Sequence, residues 1–148
     1  MSAKHILTCV TSQRSCERLI RQSASFAKTL GCDVTVLHVA SGQNLILGNE
    51  NQAEALEYLY QISREYGADM SVLRAEDVIE TIVGFAKKKH ITHVVLGGPA
   101  ATRNWQVPEK LRSQLPGAEF YVIPSDVAPG DVHDMPIFIY NDKSEAAL

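Results

Sequence analysis

Two apolar rhythms alternate along the chain. His5 to Val10 (HILTCV), Asp33 to Val39 (DVTVLHV) and Thr92 to Leu96 (THVVL) are short, nearly continuous apolar runs rich in β-branched residues, the composition that suits buried strands. Between the first two, Leu19, Ile20, Ala24, Ala27 and Leu30 recur at helical spacing. They predict a helix with Ser15 as its N-cap and Gly31 as its stop. Asn51-Gln52-Ala53-Glu54 has the form of a capping box and opens a helix that runs to Tyr66, before Gly67. A weaker strand, Asp69 to Leu73, leads to a second capping box, Asp77-Val78-Ile79-Glu80, whose helix closes on Lys87-Lys88-Lys89. Cations at a helix C-terminus face its negative end, so that run reads as a solvated helix end rather than a nucleic-acid patch. Pro108 opens a short helix to Leu115, Pro116-Gly117 breaks it, and Glu119 to Ile123 supplies a fifth strand.

Strands that alternate with helical crossovers fold as an open five-stranded parallel α/β sheet with helices on both faces. Thr92 to Leu96 is apolar without alternation, as a central strand covered on both sides must be. Residues 1–124 make this domain, and residues 125–148 break the pattern. The tail begins as a linker, PSDVAPGDVHDMP, and then carries Ile137-Phe138-Ile139-Tyr140. That run predicts an extra strand at a sheet edge, in its own subunit or in a partner's.

The chain has 148 residues, 45% of them hydrophobic, enough for one self-sufficient core. A net charge of -3 argues against electrostatic binding to nucleic acid or an anionic membrane. The opening MSAKHILTCV is too short in apolar residues for a signal-peptide core, which predicts a cytoplasmic protein. Cys9, Cys16 and Cys32 lack CxxC spacing and indicate neither a disulfide framework nor a zinc site.

In an open parallel sheet, ligands bind at the carboxyl ends of strands where the strand order reverses. The loops to inspect are therefore Thr11 to Arg14 and Gly97 to Trp105, the latter within LGGPAATRNW. Gly97 and Gly98 admit close backbone approach, Thr102 offers a hydroxyl, Arg103 a phosphate partner and Trp105 a stacking surface. Taken alone, Gly-Gly-Pro after a strand reads first as an ordinary turn. Cys16 falls in a first helical turn, where the dipole favours a thiolate, but no resolving cysteine is near it in sequence. His5, His38, His90, His93 and His133 form no HxH or HExxH pair, and Asp131 to Asp134 belongs to a linker. Arg14, Arg18 and Arg21 share a helical face, either solvated or answering an anion at the helix N-terminus. Neither GxGxxGK[ST], GxSxG nor HxGH occurs, which points away from catalysis.

The alternation of elements, the opening ILTCVTSQRSCERLIRQSASFAKTLGCDVTVLHV, and HVVLGGPAATRNW after the fourth strand together resemble the universal stress protein domain. More narrowly they resemble its version in potassium-sensing histidine kinases of the KdpD type. The likeness covers Lys4 to Pro124. It implies strand order 3-2-1-4-5, an adenine nucleotide alpha hydrolase-like fold, homodimers, and an adenine nucleotide held between the first and fourth strands. In some KdpD-type domains it implies cyclic di-AMP instead. By position, Val10, Thr11, Ser12 and Val39 would surround base and ribose, with Gly97 and Gly98 opening the phosphate loop. The family's spaced glycines fall here on Ala100 and Lys110, its acidic residue after the first strand on Thr11, and its late Gly-Ser on Val107-Pro108. These departures argue against a cradle for triphosphate.

The reading that results is a non-catalytic module that binds a nucleotide or nucleotide second messenger, with ATP, AMP or cyclic di-AMP as candidate ligands and a homodimer or signalling protein as partner. The alternative is a ligand-free dimerisation or scaffold protein. A slow ATPase ranks third.

Overall fold

The computed structural model describes residues 3–11, 16–40, 50–98, 109–124 and 138–140. In chain order the elements are β1 (His5–Cys9), α1 (Glu17–Leu30), β2 (Asp33–Ala40), α2 (Glu50–Glu65), β3 (Asp69–Arg74), α3 (Val78–Lys88), β4 (His93–Gly98), α4 (Glu109–Gln114), β5 (Glu119–Pro124) and β6 (Phe138–Tyr140). The sheet runs β3-β2-β1-β4-β5-β6. Its first five strands are parallel and β6 alone is antiparallel, pairing Tyr121 with Ile139. The expected order 3-2-1-4-5 and the extra edge strand are both present.

The two faces of the sheet bury different residues of the same strands, because successive side chains alternate. Ile6, Val34, Val36 and Val95 pack with Leu19 and Ile20 of α1 and Leu59 of α2. Leu7, Leu37, Val94 and Phe120 pack with Ile82 and Val83 of α3 and Leu111 of α4. Ile6, Leu7 and Thr8 are all fully buried, as the middle strand of a two-faced sheet requires. The one polar member, Thr8, donates its hydroxyl to Ser23 Oγ at 2.6 Å, so the buried group is satisfied.

Helix ends follow local chemistry. Gly31 ends α1 in the left-handed region at φ 68°, and its N–H donates to the Ala27 carbonyl. Asp77 caps α3 by accepting the Glu80 N–H at 3.0 Å, which holds the Asp77 carboxyl below its ordinary range; Lys110 of α4, 3.6 Å away, adds to that. Two helix starts differ from expectation. Helix α1 opens at Glu17 with Cys16 in the N-cap position and no side-chain cap bond, while Ser15 lies outside the described residues. Helix α2 opens at Glu50, one residue ahead of the expected Asn51.

Candidate functional site

Parallel pairing aligns the carboxyl ends of β1, β2 and β4 at one end of the sheet. The register pairs Cys9 with Leu37 and Thr8 with Val95. Carried onward, it brings Val10 level with His38 on one side and Gly97 on the other. Between β1 and β4 the strand order reverses, so Val10, Thr11, Gly97 and Gly98 stand at the switch point where ligands bind in such sheets.

Val10 is nearly buried, with its N–H bonded to the Leu37 carbonyl at 2.9 Å. Thr11 is exposed, and its hydroxyl lies 3.3 Å from Cys16 Sγ. Val39 is half-buried against the layer beneath α3. Gly97 is exposed at the end of β4, and a Cβ built on it would stand 3.2 Å from Leu19 Cδ1 of α1. Gly97 therefore has a packing reason to lack a side chain, beyond any approach of a ligand. Gly98 is the last residue of β4, paired with Pro124. Ser12, Thr102, Arg103 and Trp105 lie outside the described residues, as does Arg14.

The structure adds a residue to this end that patterning passed over. His38 is about nine-tenths buried, and its Nδ1 lies 3.0 Å from the Val10 carbonyl. A carbonyl oxygen only accepts, so Nδ1 carries the proton, and in the neutral ring Nε2 is left as an acceptor. The histidine within DVTVLHV was the available signal, but only the fold reveals its partner 28 positions away.

Other candidates resolve differently. Arg21 pairs with Glu17, which also accepts the Tyr58 hydroxyl of α2, so this carboxylate ties the two helices together near the start of α1. The basic stripe is thus engaged within the protein at Arg21. Cys16 is 8% exposed, a buried thiol rather than the accessible one a redox role requires. Cys9 is half-buried and its thiol is pushed up to about 12 by burial. Cys32 is half-buried. His5 and His93 stand at strand starts, away from the switch point. No group of three or more histidine, cysteine or acidic side chains suited to a metal occurs among the described residues, and no helix among them is long and apolar enough to cross a membrane.

This chain belongs to the universal stress protein family, whose sequence profile matches residues 2–104. It is 26% identical over 103 residues to the sensor protein KdpD of Escherichia coli (strain K12), across 68% of this chain and 11% of that protein. The chain thus spans about a tenth of that relative's length. Among solved structures it is similar to a universal stress protein in complex with cAMP (TM-score 0.59, 12% identity, 85% of this chain and 100% of that one). It is also similar to the universal stress protein from Archaeoglobus fulgidus in complex with dAMP (TM-score 0.54, 21% identity, 83% and 97%). A third is UspA from Lactobacillus plantarum (TM-score 0.59, 17% identity, 84% and 98%). At these identities the likeness to solved structures concerns the fold.

Proposed function

We propose that the chain is a cytoplasmic, non-catalytic module that binds an adenine nucleotide or a nucleotide second messenger at the carboxyl ends of β1, β2 and β4. The observation that carries this reading is that the carboxyl ends of β1 and β4, which carry Val10, Thr11, Gly97 and Gly98, adjoin where strand order reverses, with Val39 near the end of the neighbouring β2. His38 supports it. Its Nε2 acceptor suits a ligand hydroxyl or exocyclic amine, groups that a nucleoside offers. The complexes of related structures with cAMP and dAMP support the ligand class. Ser12, Thr102, Arg103 and Trp105 complete the proposed contacts, and occupancy would be reported through a homodimer or a signalling partner by favouring one conformer.

A ligand-free scaffold is the second reading, favoured by the packing of Leu19 against Gly97 and by Ala100 and Lys110 standing where the family's glycines would. Calorimetric titration of ligand-stripped protein with ATP, AMP and cyclic di-AMP separates the two. Micromolar binding abolished in Gly98→Glu is the expected outcome. Absence of heat with all three ligands would leave the scaffold reading standing.

A further inference from the structure

At the opposite end of the sheet, where β1 and β2 begin, a cavity of about 630 Å³ opens between the last turns of α1 and the turn joining α2 to β3. It is distinct from the crevice at the strand carboxyl ends, and its size falls within the ordinary range of small-molecule sites. Its walls divide by chemistry. Ala24, Ala27 and Val34 give a small-residue apolar floor, and Tyr66, 46% exposed, is a large ring left open to solvent in its wall. Lys4 and Lys28 supply positive charge and Asp33 negative charge. No salt bridge engages any of these three among the described residues.

Charge is arranged as well as present. The half-buried Cys32 thiol in the cavity wall is pushed up by burial and by Asp33, and pulled down by Lys4. Both charges therefore act on one sulfur from their separate positions. The cavity also borders the C-terminal end of α1, whose last carbonyls favour a cation. A plain anion would meet Lys4 and Lys28 but be opposed by Asp33 and that helix end. A plain cation would meet the reverse. A molecule with both charges on neighbouring atoms and an apolar body satisfies every wall at once.

We propose that this cavity is a second ligand site that takes a free α-amino acid with an apolar or aromatic side chain. The carboxylate lies toward Lys4 and Lys28, the ammonium toward Asp33 and the end of α1, and the side chain over Ala24 and Ala27 beside Tyr66. The site needs no nucleotide and stands independently of the crevice.

The test is calorimetric titration of the full chain with L-phenylalanine, 3-phenylpropanoate, which lacks the ammonium, and phenethylamine, which lacks the carboxylate. Phenylalanine is expected to bind about tenfold or more tightly than either half, the scale of one charge-assisted hydrogen bond. Asp33→Asn should weaken phenylalanine and phenethylamine but not 3-phenylpropanoate, and Lys4→Gln should weaken phenylalanine and 3-phenylpropanoate but not phenethylamine. Ala24→Phe, which fills the floor, should abolish binding while circular dichroism stays unchanged. Because Cys32 lies in the wall, bound phenylalanine should also slow its alkylation by iodoacetamide, read by mass spectrometry. Equal affinity for all three probes, or no phenylalanine binding and no protection of Cys32 at millimolar concentration, would overturn the proposal.

Discussion

At the scale of single residues, His93 shows how burial governs a titratable group. It is 5% exposed, stacks on Tyr121 and meets the edge of Phe26 from α1. Its Nδ1 lies 2.7 Å from the Thr92 hydroxyl and its Nε2 3.3 Å from Glu119, which also accepts the Tyr121 hydroxyl at 3.0 Å. Loss of solvation lowers the ring's pKa below the usual 6.5; Glu119 opposes that and Lys4 adds to it. In the neutral ring Nε2–H donates to Glu119 and Nδ1 faces the Thr92 hydroxyl, whose single proton is shared between that nitrogen and the His5 carbonyl 3.2 Å away. The unfolded chain then takes up a proton before the folded one does. Stability due to His93 is full above about pH 6.5 and falls as pH drops from there to the folded-state value, with a slope of at most about 1.4 kcal/mol per pH unit. Urea midpoints measured between neutral and mildly acidic pH should fall more steeply for the natural chain than for His93→Gln. Parallel profiles would mean that the ring titrates as if in water.

At the scale of elements, the seating of α1 on β4 decides what Gly97 is for. Leu19 is 3% exposed and reaches the glycine, so Gly97→Ala forces its side chain aside. Overpacking a core costs about 1–3 kcal/mol, and a contact that a few tenths of an ångström at the end of one side chain would relieve belongs at or below the bottom of that range. Shortening the neighbour in Gly97→Ala/Leu19→Val should recover part of that loss in melting temperature, a coupling that two independent sites would not show. If nucleotide binding also returns in the double variant, Gly97 acts through packing; if stability returns without binding, the bare backbone itself approaches the ligand. Such a contact was not legible in the sequence, because Leu19 and Gly97 are joined only by the fold. The elements themselves were legible. Continuous apolar runs such as HVVL mark buried parallel strands, and Asp77 with Glu80 marked a helix start that the structure shows bonded. Ser15 was a plausible cap by type, yet the helix opens at Glu17 behind Cys16, since several neighbouring residues can serve a helix start. The bond from His38 to Val10 and the burial of Cys16 were equally out of reach, for both depend on residues from separate segments.

At the scale of the whole molecule, a parallel sheet of this kind has two edges to manage. One is β3, whose burial is partial and whose residues include the charged Asp69 and Arg74. Charge at an exposed edge discourages pairing with other chains. The other would be β5, in which Phe120, Tyr121, Val122 and Ile123 are all 6% exposed or less. A strand so apolar is hazardous as an open edge, and the backbone of β6 covers it by pairing Phe120 with Tyr140 and Val122 with Phe138. Among the described residues three make that cover, and a strand so short contributes little free energy by itself. Ile139→Pro, whose ring fixes φ near about -65° and so disfavours the extended pairing of β6, should leave the helical circular dichroism intact but expose β5. Sedimentation velocity over a range of concentrations should then show larger species for the variant than for the natural chain at equal concentration. An unchanged distribution would mean that β5 is guarded by its flanking side chains alone, and that the tail strand belongs to the architecture without protecting it.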